Sequence, residues 1–399
     1  MTVTDSYSTR FSGMESCLLR RQVETLLKPD QVLRAVAGDR RPFALIGEWA
    51  GGGALIGSEP LLEVGEEQPE TVWTALDDLP AIEAKPGTGA VGGGWFGYLG
   101  YQLGSQLERL PPSPARPLPL PSAGFAFYDH LLHWVEASGE WWFEALWTTD
   151  REAELERRYQ ILQRRLSQPA PELGRVELGH FTAQPSPAEH QAVIAEGIKH
   201  IRAGDVFQVN LCLRLEAAMQ GDPLALFIPA VERLRPARAA YLALSQENHL
   251  LSFSPELFLQ RQGREVLAAP IKGTLNGTLS SMELTHSGKD RAENVMIVDL
   301  MRNDLGRVCE AGSISVPTLV GLEAHLGVWH LVSQVRGRLK GGVSDAELLR
   351  ATFPPGSVTG APKIRAMELI AELESTGREI YTGAIGYISP LTGLELSVA

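Results

Sequence analysis

The sequence is short of everything that would staple it, anchor it or charge it strongly positive. Its 399 residues hold three cysteines, Cys17, Cys212 and Cys309. They are odd in number and far apart and show no metal-ligand spacing, so no disulfide framework or cysteine-bound metal is expected. A reduced, cytoplasmic chain is the default. No run approaches the roughly 18 consecutive apolar residues of a membrane span, and the N-terminal stretch has no apolar run suited to a signal peptide. Basic residues are also scarce, 36 Lys and Arg against 48 Asp and Glu, for a net charge of −12. That balance argues against a nucleic-acid partner, which needs a clustered basic face. A small anion could still bind where local lysines, arginines, backbone N–H groups or a metal override the overall field.

What is present is ordinary globular material. Hydrophobic residues make up 44% and charged residues 21%, enough for a sizeable core in one large domain or two ordinary ones. Residues 1–30 read as a ragged lead-in. Residues 42–49 (PFALIGEW) and 54–57 read as strands joined by a turn, a meander rather than a βαβ unit. Residues 92–98 (GGGWFGY) lack the following helix of a dinucleotide fingerprint and read as a close-packed strand and turn. Residues 125–135 and 140–148 form an expected strand pair, and residues 151–166 a charged, mostly solvated helix.

Residues 168–184 are polar and proline-containing, the best linker. The expected division is therefore 1–183 and 184–399. The second region opens on Ser186, with proline at the first helical position and Glu189 three residues on, a strong helix start. Val193, Ile194, Ile198 and Ile201 give that helix its expected buried stripe, and Gly204 ends it. Strands are expected over 205–215, 239–244, 249–253, 257–261, 266–272, 313–320 and 330–338, with helices over 223–234 and 345–353.

Two stretches carry chemistry. Residues 270–308 put Lys272 in a tight, glycine-flanked turn and follow it with an amphipathic helix rich in carboxylates. Ser287 is its cap, and Asp290 and Glu293 lie three apart on one face. A lysine beside paired carboxylates suits a site handling a cation and an anionic substrate, though a surface lysine and a solvated acidic face would read the same. Residues 353–374 (FPPGSVTGAPKIRAMELIAELE) place small residues before a helix beginning at Pro362. Converging backbone N–H groups at a helix start form an anion site, and an ordinary tight turn gives the same pattern. An apolar strand ending at Ser397, Val398 and Ala399 reads as a truncated sequence.

These motifs, in this order, resemble the chorismate-utilising enzymes, which include anthranilate, aminodeoxychorismate, isochorismate and salicylate synthases. The resemblance runs from about Ser186 to the end and is carried by SPE (254–256), PIKGT (270–274), KDRAENVMIVDLMRNDLGRV (289–308), HLVSQV (330–335) and residues 353–374. It is looser in GGGWFGYLGY (92–101) and FYDH (127–130). It implies an α+β fold of large antiparallel sheets packed face to face, with helices outside. Gln208 stands where the water-activating members carry lysine, and so resembles the ammonia-using branch. Lys272 stands where anthranilate synthases carry alanine, and so resembles the aminodeoxychorismate synthases, as do Ser357 and Thr359.

The implied reaction replaces the C4 hydroxyl of chorismate with ammonia supplied by a glutamine amidotransferase subunit, in the folate branch. The resemblance implies Glu256 as general acid, Lys272 as covalent nucleophile and His330 as an active-site histidine. It implies Gln208, Gly273, Thr274, Gly360, Ala361 and Tyr387 as substrate-facing positions. It implies Mg²⁺ held by Glu293 and Asp290, with further acidic ligands and a carboxylate-binding arginine past Ala399. One departure is Leu275-Asn276-Gly277, where the family usually has an arginine. The alternatives are an anthranilate synthase component and a non-catalytic chorismate-binding subunit.

Overall fold

The short apolar strands, punctuated by glycine and proline, pair into two mostly antiparallel sheets, with the short strand Ala81–Ile82 joining Glu15–Val23 in parallel. The computed structural model describes residues 11, 15–65, 69–82, 89–118 and 120–399. One sheet has eight strands in the order His249–Ser254, Arg238–Ala243, Phe43–Gly47, Gly53–Gly57, His130–Val135, Glu140–Trp147, Glu15–Val23 and Ala81–Ile82. The ten-stranded sheet runs Ile271–Asn276, Val328–Arg338, Glu265–Ala268, Leu257–Gln262, Gly393–Val398, Ala384–Ser389, Gly94–Leu99, Ala123–Tyr128 and Leu62–Gly65, with Ser315–His325 also paired to Val328–Arg338. Their facing sides interleave Phe43, Leu45, Leu55 and Leu131 with Phe96, Tyr98, Ile385 and Tyr387 in one buried aromatic layer. Helices cover the outer faces: Pro29–Val36, Glu152–Leu166 and Leu224–Leu234 on the first sheet, Gly288–Gly306 and Asp345–Thr352 on the second. The fold is α+β, as the resemblance implies.

Strands from both sides of residue 183 build each sheet. Arg238–Ala243 and His249–Ser254 join the first, while Leu62–Gly65, Gly94–Leu99 and Ala123–Tyr128 join the second. The linker expected over 168–184 carries two short strands, Val176–Leu178 and Thr182–Gln184, paired with Met219–Gly221 and Arg214–Glu216.

Several local expectations are corrected. Part of the lead-in is the strand Glu15–Val23, held by antiparallel pairing to Glu140–Trp147; residues 1–10 and 12–14 lie outside the described residues. The single strand expected over 125–135 breaks at Asp129 and continues in the other sheet. The strand expected over 266–272 breaks at Ala269 and Pro270, because proline cannot donate to the ladder.

The helix Pro187–Ala203 starts and stops as its caps dictate. Ser186 and Glu189 form the full capping box, and Gly204 takes the left-handed conformation. Its stripe does not point inward, however. Ile194, Ile198 and Ile201 are 40%, 42% and 39% exposed, and the buried residue is Gly197. A side chain at Gly197 would meet Leu211 and Val209, so the helix approaches through its small-residue face instead.

The charged helix Glu152–Leu166 also turns a cation inward. Arg158, 7% exposed, donates to His130 Nε2 at 3.2 Å and to Asp39 Oδ2 and Ser58 Oγ at 2.5 Å each. Arg165 reaches the other Asp39 oxygen at 2.9 Å. Burial alone would raise the Asp39 pKa, but these partners win and hold the carboxyl below its usual range.

Candidate active site

The site forms where the edge strand of the larger sheet meets the acidic helix. The strand Ile271–Asn276 pairs with Val328–Arg338, placing Thr274 opposite His330, and bulges between Ile271 and Thr274. Gly273 sits in that bulge with φ +88°, and a Cβ there would lie 3.0 Å from Asp290 Cβ and from Leu331 Cδ1. Glycine therefore lets the strand and the first turns of Gly288–Gly306 approach. Ser287 caps this helix by accepting the Asp290 N–H at 3.2 Å.

Glu256 sits in the two-residue connection between the strands His249–Ser254 and Leu257–Gln262. Its own N–H donates to Ser254 Oγ at 3.2 Å, and its Oε1 accepts the Ile271 N–H at 3.3 Å. The residue keeps part of its surface exposed, but protein atoms crowd the carboxyl, and that desolvation pushes its pKa up. A hydrogen bond from Ser357, the Lys272 charge and the Ile271 N–H oppose the rise without cancelling it. A carboxyl inclined to keep its proton thus lies within electrostatic reach of a half-buried lysine.

Thr274 Oγ1 lies 2.9 Å from His330 Nδ1. His330 is 8% exposed, and burial followed by the neighbouring His325 pushes its pKa down, opposed by a hydrogen bond to the Gly273 backbone. On the other flank Gln208 and Val209 pair with Ala361 and Gly360. Gly360 has φ +148°, and a Cβ there would lie 2.2 Å from the Gln208 carbonyl oxygen. The side-chain Oε1 of Gln208 is buried without a hydrogen-bond partner. A cavity of 960 Å³ adjoins this flank, between the outer face of the acidic helix and the loop before Lys363–Leu373. Ala361 lines it, together with Phe207, Val295, Leu300 and Pro362, whereas Lys272 and Glu256 do not.

Glu256, Lys272, Gly273, Thr274, His330 and Asp290 are thus brought together. Glu293 lies one turn beyond Asp290 and 3.7 Å from Lys289. Gln208, Gly360 and Ala361 form the adjoining flank. Tyr387 is placed elsewhere. It lies in the buried layer between the sheets, stacked on Phe96, and its hydroxyl donates to Glu395 at 3.2 Å. The alternation of Ala384–Ser389 turns residue 387 away from the strand face that packs on the acidic helix.

One residue inside the 289–308 motif is given no role by the sequence reading. Asn294, 1% exposed, donates to the carbonyls of Leu331 at 2.9 Å and Lys272 at 3.4 Å, and its Oδ1 accepts the Ser333 hydroxyl. Ser333 Oγ in turn accepts the Val320 N–H at 2.8 Å. This chain of bonds fixes the acidic helix to three strands. Its only sequence signal is a polar residue on the helix's apolar face.

Among the described residues no group of three or more His, Cys, Asp and Glu side chains is gathered as a metal site. Asp290 and Glu293, three apart on one helix face, offer two oxygen ligands. That fits Mg²⁺, which is commonly held through one or two carboxylates with substrate oxygens and water completing the shell.

Comparison with known proteins identifies the family. The chain is 38% identical over 318 residues to aminodeoxychorismate synthase component 1 of Klebsiella aerogenes, covering 77% of this chain and 67% of that protein. It is 36% identical over 330 residues to anthranilate synthase component 1 of Streptomyces coelicolor, covering 77% and 64%. The structure superposes on anthranilate synthase component I of Streptococcus pneumoniae with a TM-score of 0.77 at 26% identity, over 90% of this chain and 83% of that one. It shares its fold with the menaquinone-specific isochorismate synthase of Escherichia coli, with a TM-score of 0.72 at 16% identity, over 96% and 84%. The chorismate binding enzyme family matches residues 44–399, and the chain belongs to that family.

Proposed function

We propose that the chain is the component of an aminodeoxychorismate synthase that replaces the C4 hydroxyl of chorismate with an amino group, yielding 4-amino-4-deoxychorismate. The observation that carries this reading is Glu256, a carboxyl with a raised pKa, anchored beside Lys272. Hydroxide is a poor leaving group and needs an acid. An amine nucleophile splits the substitution into two easier displacements.

In the first step Lys272, once it has given up its proton, bonds to ring C2 through its amine. The ring double bonds shift, the C4–O bond breaks, and the Glu256 proton leaves with the oxygen as water. In the second, ammonia bonds to C4, the electron pairs shift back, the C2–N bond breaks to free Lys272, and the new C4 ammonium returns a proton to the Glu256 carboxylate. Thr274 and His330 flank the lysine, while Gln208, Gly360 and Ala361 form the adjoining wall for substrate. Asp290 and Glu293 would hold Mg²⁺, which supplies positive charge to offset a substrate carboxylate.

The relatives named component 1 support a second component, which we take to be a glutamine amidotransferase delivering ammonia. Among the described residues no helix is long and apolar enough to cross a membrane; three free thiols fit the reducing cytoplasm, where we place the enzyme.

Incubation with chorismate, Mg²⁺ and an ammonium salt tests the reading. The expected product is 4-amino-4-deoxychorismate, giving 4-aminobenzoate only after a lyase is added. Fluorescent anthranilate formed without lyase would overturn it in favour of the anthranilate synthase relatives.

A further inference from the structure

The strand hairpin beside the lysine carries a second histidine. Ser315–His325 returns through Leu326 and Gly327 into Val328–Arg338, with Gly327 at φ +80° making the tight turn. Glu323 lies opposite His330, and His330 lies opposite Thr274 on the strand beyond. His325, two residues after Glu323, shares that face and falls on the diagonal from His330. The two rings lie 5.0 Å apart and tilted by 63°. Nε2 of His325 is shut off from solvent without a hydrogen-bond partner, and Glu323 Oε2 lies 3.7 Å away. Thr274, His330, His325 and Glu323 thus form one row across three strands.

We propose that His325 is a positioning residue for His330, taking the proton that the pair can hold and leaving His330 neutral against Thr274. Two imidazolium rings at this separation repel, so the pair titrates as a coupled unit. Glu323 stands on the His325 side of the pair, 3.7 Å from the His325 Nε2. His330 is the deeper ring and has the uncharged Thr274 as its side-chain partner. Burial and the His325 charge act in the same direction on it. The titratable neighbour that acts on His330 is His325, with the Gly273 backbone opposing it; on the adjoining helix Asp290 packs against Gly273. Its neighbours on its own strand, Trp329 and Leu331, carry no charge. A neutral His330 adds no repulsion beside Lys272 and keeps a ring nitrogen free of positive charge in the site. The inference rests on His330 belonging to the site proposed above.

Histidine ring titration by NMR on the whole protein tests it without relying on turnover. His330→Gln assigns the His330 resonance. In the unsubstituted protein His325 is expected to titrate at higher pH than His330. His325→Phe should raise the His330 midpoint by roughly half a unit to one unit. Glu323→Gln should lower the His325 midpoint and raise that of His330. The acid limb of the ammonium-driven rate should move up in pH with His330 in His325→Phe. Should the phenylalanine variant fail to fold, His325→Asn, small and non-titrating, replaces it. A His330 midpoint unmoved by loss of His325, or a His330 that titrates above His325, would overturn the proposal. Absence of amination in the unsubstituted protein would defeat the proposed function and leave the ring titration to decide this point.

Discussion

Glu256 accepts the backbone N–H of Ile271 at 3.3 Å, which fixes the acid to the residue immediately before Lys272. The bond ties the carboxyl to the backbone that carries the nucleophile. Burial keeps the proton on the acid against the pull of the lysine charge.

Replacing the acid tests its role. Glu256→Gln keeps the shape and loses the proton. Steady-state rates with ammonium should fall by about 10²–10⁴-fold, with a smaller change in KM. Stability should not fall, because the raised pKa means that the ionised form is penalised in the folded state. For the same reason, Glu256 makes the native protein less stable as pH rises from its unfolded value through its folded one. Urea unfolding of both proteins above and below that range checks the sign.

Asn294→Ala removes the hub that joins the acidic helix to the Lys272 strand. It leaves the Lys272 and Leu331 carbonyls and the Ser333 hydroxyl short of partners. A loss of about 2–3 kcal/mol in urea unfolding is expected, with a drop in kcat larger than the change in KM. Ser333→Ala should cost less. The double variant should be less than additive, since both changes break one network.

Gly360→Ala would place a methyl carbon 2.2 Å from the Gln208 carbonyl oxygen, at a φ of +148° that alanine rarely adopts. The short ladder between Gln208–Val209 and Gly360–Ala361 should open. Activity should fall at least tenfold, with chorismate KM rising, and amide exchange at Phe207 and Asn210 should speed up.

Asp345 gives a pH dependence of its own. Its carboxyl is bonded to Arg261 at 2.7 Å, yet burial pushes its pKa from 3.8 up to about 6, with Arg261 opposing and Asp77 reinforcing the rise. Between those two values the folded state binds the extra proton, so this contribution to stability is full at the acid end and lost as pH rises through about 6. The difference amounts to about 3 kcal/mol. Asp345→Asn should flatten that part of the stability–pH curve, measured by urea midpoint.

Much of this was readable in residue order, for physical reasons. Ser186, Glu189 and Gly204 mark the ends of their helix because capping is a local interaction. The meander after residue 42 follows from backbone limits just as local, whereas the break at Pro270 was missed although its cause is local too. What could not be read depends on distant partners. Ile194, Ile198 and Ile201 form a helical stripe, yet Gly197 is the residue that packs. Tyr387 occupies a motif position, yet strand alternation and Glu395 draw it between the sheets. Arg158 looks like surface charge until Asp39, more than a hundred residues away in sequence, is folded against it. Asn294 announces nothing locally, since its three partners lie on other strands.

The most direct test of the central claim is the peptide mass of Lys272 after the protein meets chorismate and Mg²⁺ without ammonia. The expected result is an adduct on the Lys272 peptide equal to chorismate less one water, lost when ammonium is added and absent in Lys272→Ala. No adduct, together with full amination by Lys272→Ala, would contradict the covalent role of this lysine.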